Sequence, residues 1–169
     1  EPIAFNYKNR EGFFCIRRGH IKVNVTYSDN THAVQIAGPG DIVGYGLWNT
    51  TTQLSAMAIE STAVCFFDKE SFLELQAGSP ELNAAMFKFL CSTIAKGHSR
   101  EWALQNRSVR SRVSATLLNL VSSNGLELPF APGEMPPIDR KTLAELSGTV
   151  VETLSRVLTD LEKEKIIHR

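Results

Sequence analysis

The sequence predicts an α+β fold: an N-terminal β jelly roll, one long helix and a C-terminal helix-turn-helix. Three observations carry this. Residues 1–78 hold short alternating strands punctuated by glycine turns. Residues 80–105 carry apolar side chains at three-to-four spacing. From Asp139 onward, a glycine separates two amphipathic segments. Alternation marks half-buried strands and the longer repeat marks helices, so the order of periods gives the order of elements. Many short strands joined by glycine turns belong to a barrel or jelly roll. With 169 residues, 43% apolar and 21% charged, the chain has the make-up of a soluble globular protein of one domain or two small ones.

Phe13-Phe14-Cys15-Ile16 is the first clear apolar run, interrupted at Arg18-Gly19-His20. Ile21, Val23 and Val25 then alternate with polar residues, Ser28-Asp29-Asn30 forms a hairpin turn, and His32 to Ile36 is the return strand. Gly38-Pro39-Gly40-Asp41 is a dense turn signal ahead of the short Ile42-Val43 pair. Gly44-Tyr45-Gly46 does not suit a strand interior. Leu54–Ile59 and Ala63–Phe67 are two further strands, and Asp68 starts a short helix that runs to about Leu75.

Ser79 caps the long helix and Pro80 occupies its first position. Leu82, Met86, Phe89, Leu90 and Ile94 form its stripe, and Ala85, Phe87 and Cys91 widen it beyond one contact face. A helix that covers a barrel and also meets a second copy of itself has this pattern. Gly97 costs about 1 kcal/mol relative to alanine in a helix interior, so it reads as a close-approach position or a hinge. Asn106 to Arg112 is a polar, basic break and the best domain boundary. The predicted units are a barrel over 1–78, a dimerisation helix over 79–106 and a helix-turn-helix unit over 107–169. Within the last, Val113–Leu120 is a helix and Pro129–Pro137 an extended connection.

The C-terminal pair carries the chemistry. Asp139 can cap the first helix, Leu143 and Leu146 make its apolar stripe, and Gly148 can take the positive φ of a sharp interhelix turn. The second helix buries Val151, Leu154, Val157, Leu158 and Leu161, leaving Glu152, Ser155 and Arg156 on its opposite face. That trio suits base edges in a major groove: arginine forks onto guanine, glutamate accepts from a cytosine amine, and serine adapts. Thr149-Val-Val-Glu152 also has capping-box spacing, so Glu152 either reads a base or folds back onto Thr149. Arg110, Arg140, Lys141 and Lys163 are candidate phosphate contacts or ordinary solvated charges.

Eighteen basic and eighteen acidic residues cancel, which argues against holding DNA by bulk charge but not against a sequence reader. No apolar run approaches a membrane span and no signal peptide is evident, so a reducing cytoplasm fits. Cys15, Cys65 and Cys91 are odd in number and widely spaced, which argues against disulfides and metal clusters, and each is expected to be a small buried hydrophobe. His20, His32, His98 and His168 are scattered, and no catalytic or metal constellation is spaced to work. No cofactor is expected. A cupin-like enzyme, which would need a histidine cluster in the barrel, is a remote alternative.

In this order, the elements resemble the catabolite activator/FNR (CRP/FNR) family of bacterial transcription regulators. Leu143-Ala-Glu-Leu-Ser-Gly-Thr-Val-Val-Glu-Thr-Leu-Ser-Arg156 is close to the FNR-type recognition element with its E-T-x-S-R core. Arg112-Val-Ser-Ala-Thr-Leu-Leu-Asn-Leu120 resembles the helix that opens the family's DNA-binding domain, and Pro39-Gly40-Asp41-Ile42-Val43-Gly44 its barrel turn. The resemblance implies a cyclic-nucleotide-binding-like jelly roll, a winged helix-turn-helix, and a homodimer on double-stranded DNA. It also implies RNA polymerase as a partner, no membrane association and no enzymatic activity. Arg156 and Glu152 would read a TGA-containing half-site, with Ser155 marking the FNR-like preference. Relative to the family, both ends look incomplete: the first barrel strands would precede Glu1 and the wing would follow Arg169.

The family's effector pocket maps onto Gly44, Tyr45, Gly46, Leu47, Leu54, Ser55 and His98. There the resemblance breaks down. Tyr45 stands where the activator's ribose-binding glutamate would be, Leu54 where its phosphate-binding arginine would be, and Gly97-His98 where its purine-reading pair would be. A buried phosphate without a cation is costly, so cyclic AMP binding in the usual way is not expected. The barrel either takes an unidentified small effector or is filled by its own side chains, making an effector-independent regulator.

Overall fold

In a computed structural model the described residues are 2–3, 6–7, 10–28, 30–44, 53–105, 108–121 and 135–168. Eight strands come first: β1 (Pro2–Ile3), β2 (Asn6–Tyr7), β3 (Arg10–Arg18), β4 (Ile21–Tyr27), β5 (Asn30–Ala37), β6 (Ile42–Val43), β7 (Gln53–Ala58) and β8 (Ala63–Asp68). Five helices follow: α1 (Lys69–Gly78), α2 (Pro80–Leu104), α3 (Val109–Val121), α4 (Arg140–Leu146) and α5 (Val151–Lys163). One sheet runs β1-β7-β4-β5 and the other β2-β3-β6, with β8 also paired to β3. All the pairings among the described strands are antiparallel, and the consecutive pairs β2–β3 and β4–β5 are hairpins.

The alternation read from the sequence places Ile21, Val23 and Val25 of β4 inward. Phe14, Ile16, Ile21, Val23, Ala37, Val43 and Ala56 form the barrel core, with Val34, Leu54 and Phe66 packed against it. The β4–β5 ladder slips by one residue: Val23 faces Gln35 but Asn24 faces Ala33, so Val34 is the extra residue of a β-bulge. The α1 helix seats Phe72 edge-on against Phe13, with ring centroids 4.9 Å apart. Asp68 caps it by accepting from the Ser71 amide at 3.0 Å.

The long helix starts as expected, with Ser79 Oγ accepting from the Leu82 amide at 3.1 Å and Pro80 in the first turn. It runs unbroken through Gly97, where an added Cβ would meet nothing within 4 Å in the protomer. Within the protomer Gly97 is therefore not a close-approach position. The predicted single stripe divides into two faces. Leu82, Met86 and Phe89 are half-buried toward their own protomer, whereas Leu90 and Ile94, with Phe87 and Trp102, are 50–71% exposed.

Two further expectations fail. The break predicted at Asn106–Arg112 is shorter, because α3 already begins at Val109 and Ser108 accepts from the Arg112 amide at 3.1 Å. Val109 packs into the C-terminal core, and that contact recruits the polar residues beside it into the helix. Of the three cysteines, Cys65 and Cys91 are exposed and only Cys15 is partly buried. Cys65 lies on β8, which pairs with β3 alone, and Cys91 on the outward side of α2. Burial holds the Cys15 thiol above its ordinary pKa. Among the described residues no helix is long and apolar enough to cross a membrane.

Candidate nucleic-acid interface

The helix pair is built by local chemistry. Asp139 caps α4, accepting from the Thr142 amide at 2.7 Å and from the Thr142 hydroxyl at 3.2 Å. Its C-terminus closes with the Thr149 amide donating to the Ala144 carbonyl at 3.0 Å and the Gly148 amide to Glu145 at 3.2 Å, the paired bonds of a Schellman turn. Gly148 takes φ +59 there, and a Cβ would come within 3.2 Å of Leu104 on α2. Arg112 completes the turn, donating to the Ser147 and Gly148 carbonyls at 3.1 Å each. No local pattern announces this role, because the carbonyls it holds belong to a different helix pair.

These contacts fix α5. Leu154, Leu158 and Leu161 are buried, and Val151 and Val157 half-buried. Leu154 and Leu158 join Val113, Leu143 and Ala144 in one cluster. Glu152 and Arg156 lie exposed one turn apart, with Ser155 half-buried beside them. The capping box does not form. The helix cap is Val150, with no side-chain bond, and the Thr149 amide is already committed to Ala144. Glu152 is thus left on the surface in the first turn, where the helix dipole favours a carboxylate.

Among the cations, Arg140 donates to Ser155 Oγ at 3.4 Å, which brings the start of α4 against the exposed face of α5. Lys141 and Lys163 are exposed. Arg110 is engaged: it forks onto Glu164 at 2.7 and 2.6 Å, which removes it as a free phosphate contact.

Asp139 carries a checkable consequence. The Thr142 amide bond holds its carboxyl below the ordinary carboxylate range, with Lys22 adding to the effect. Asp139→Ala is expected to cost about 1 kcal/mol of stability at neutral pH. Because the folded pKa is the lowered one, the cap's contribution is intact above the unfolded value of about 3.9 and fades as pH falls through the folded one. Urea unfolding of wild type and variant should therefore differ at pH 7 and converge in acid.

Of the predicted effector residues the structure describes Gly44, Leu54, Ser55 and His98. Gly44 is buried with φ +93, and Leu54 packs against the barrel core. Ser55, next along β7, is exposed, as successive strand residues face opposite sides. His98 is exposed on α2. Tyr45, Gly46 and Leu47 lie outside the described residues. Among the described residues no three His, Cys, Asp or Glu side chains cluster as a metal site would require.

The barrel and the helix-turn-helix unit touch directly. Lys22 of β4 donates to Thr142 Oγ1 at 3.3 Å, and the Ala33 amide beside the bulge donates to Glu145 at 3.0 Å. Ala33, Ile36 and Leu146 form a small apolar cluster between them. Lys22 and Glu145 were not singled out in the sequence, since nothing local distinguishes them from solvated charges.

Residues 3–79 match the cyclic nucleotide-binding domain family and residues 111–169 the Crp-like helix-turn-helix domain family. The chain is 26% identical over 171 residues to the transcriptional activator protein Anr of Pseudomonas protegens, covering 96% of this chain and 69% of Anr. It is 30% identical over 135 residues to the nitrogen fixation regulation protein FixK of Bradyrhizobium diazoefficiens, covering 79% of this chain and 56% of FixK. The solved structure of FixK2 from Bradyrhizobium japonicum shares the fold, with a TM-score of 0.77 at 20% identity over 94% of this chain and 78% of that one. These relatives are transcription regulators, which sets the enzyme reading aside. With both domain types matched in order, from the barrel to the end of the helix pair, the chain belongs to the CRP/FNR family of transcription regulators.

Proposed function

We propose that this chain is a homodimeric, sequence-specific DNA-binding regulator that reads each half-site with Glu152, Ser155 and Arg156. The observation that carries this is the α5 geometry: an apolar face locked into the C-terminal core and the polar trio turned out on the other side. Arg156 forks onto a guanine and Glu152 accepts from the pyrimidine amine, within a TGA-type half-site. Arg140 and Lys141, at the start of α4, supply phosphate contacts. The exposed Phe87, Leu90, Ile94 and Trp102 give α2 an apolar face for a second copy, and open Gly97 permits close approach of that copy. The three units 1–78, 79–106 and 107–169 then act as barrel, dimer helix and reader. The setting is the cytoplasm, with RNA polymerase as the downstream partner.

Cyclic AMP is not its input in the family's usual way. The position of the phosphate-binding cation holds Leu54, whose side chain helps fill the barrel core, and the position of the purine-reading pair holds Gly97 and exposed His98. That packing also supports the second reading, a regulator of the same fold with no effector inside the barrel.

Selection of bound duplexes from a random pool tests the assignment. Enrichment of a two-fold symmetric site with half-sites about one helical turn apart is expected, unchanged by cyclic AMP. A pool that stays random would sink the DNA-reading assignment, and a cyclic AMP-dependent enrichment would sink the effector reading.

A further inference from the structure

A cavity of about 490 Å³ lies between β5 and the Asp41–Ile42 turn on one side, and α2, α3 and Leu146 of α4 on the other. None of the described candidate effector residues lines it, although Gly97, beside His98, does. Its size is that of a site for a small organic molecule.

The charges around it are unbalanced. Asp41 is buried and fully used: one carboxylate oxygen accepts from Lys96 at 3.2 Å and the other from the Gly38 amide at 3.0 Å. Arg100, one turn further along α2, is half-buried. Among the described residues no carboxylate or carbonyl accepts a hydrogen bond from it, and no neighbouring charge acts on it. Desolvation alone lowers its pKa. Among the described residues no unpartnered side-chain nitrogen is sealed from solvent, so the guanidinium of Arg100, which lines the cavity, stays open to a ligand there. With Lys96 and Asp41 cancelling each other, the lining holds one net positive charge. The rest of the wall is mixed: Ile36, Phe89, Leu120 and Leu146 are apolar, and Gln35, Ser92, Thr93, Ser99, Thr116 and Asn119 are polar.

We propose that this cavity binds a small amphipathic organic anion, its acidic group forked onto Arg100 and its apolar body held between Phe89, Ile36 and Leu120. One charged group meets one guanidinium in the bidentate geometry that suits carboxylate or phosphate. The apolar body displaces water from the wall. Because β5, α2, α3 and α4 all line the site, an occupant bridges the barrel and the reading unit, and its differential fit biases how they sit.

Calorimetric titration of the full chain with naphthylacetate and phenyl phosphate, each beside a neutral counterpart (naphthylacetamide and a neutral phenyl phosphate ester), tests this. At least one acid should bind at one site per chain, its neutral counterpart roughly tenfold more weakly or worse. Arg100→Gln should erase that preference, and Asn119→Trp, a change at an exposed lining residue, should block binding with Arg100 still in place. Which acid binds separates a carboxylate from a phosphate ligand. Equal binding of acid and neutral compound by the wild type, binding of neither acid, or an acid preference retained in Arg100→Gln overturns the proposal. The wild-type comparison stands even if a variant fails to fold. No DNA enters the measurement, so its failure leaves the reading of α5 untouched.

Discussion

Replacing Arg156 by alanine is expected to abolish sequence selection while leaving the fold and non-specific binding in place. Arg156 is exposed and makes no contact that holds α5 to the core, so its removal opens no cavity. Stability should stay within about 0.5 kcal/mol of wild type, as for other surface changes. Its effect on DNA is different in kind. Each bidentate arginine–guanine pair contributes about 1–3 kcal/mol of discrimination, and a symmetric dimer loses two, roughly 2–6 kcal/mol together. Binding to random duplex rests on phosphate contacts and should barely change at fixed salt. Fluorescence anisotropy with the selected operator and a scrambled duplex should show the two affinities converging. If the variant still prefers the operator by the wild-type ratio, Arg156 does not read it.

The opposite pattern is expected of Leu154→Ala on the inner face of the same helix. Leu154 is fully buried against Val113, Leu143 and Ala144. Its truncation leaves a void between three helices whose caps and turn resist collapse, and large-to-small changes at such sites cost about 2–5 kcal/mol. Leu118, also in this unit but 67% exposed, is the matched control and should change stability little when truncated. Urea midpoints read the difference. Operator affinity should fall in Leu154→Ala as well, because the trio loses its rigid support, but an unchanged midpoint would mean that α5 is not held as described. The two substitutions together separate what orients the reading face from what reads.

Much of this was legible in the sequence where the signal was local. The Asp139 cap, the Gly148 turn, the Ser79-Pro80 helix start and the β4–β5 hairpin depend on residues within a few positions of one another, and each forms as read. What the sequence concealed depends on distant partners. Arg112 read as part of a polar, basic break because the carbonyls it clamps lie far along the chain. Cys65 and Cys91 sit in apolar surroundings in sequence, yet exposure is decided by which strand ends the sheet and which helix face is left uncovered. Glu152 was ambiguous because capping-box spacing alone does not say which residue begins a helix; the Schellman turn claims the Thr149 amide first. Arg100 drew no notice, since an arginine on a long helix is ordinarily solvated.

The bulge at Val34 decides which side of the contact between barrel and reader is open to change. The barrel's donor to Glu145 is the main-chain amide of Ala33, and every residue except proline supplies one. Drift in the side chain at position 33 therefore leaves that hydrogen bond possible, limited only by the space beside Leu146 and Ile36. The acceptor has no such immunity, because few side chains reach where the Glu145 carboxylate does. A chain diverging under selection could retune or sever this connection by single steps in α4 without disturbing the sheet. The barrel thus offers a fixed socket, and the helix carries the part that can be exchanged.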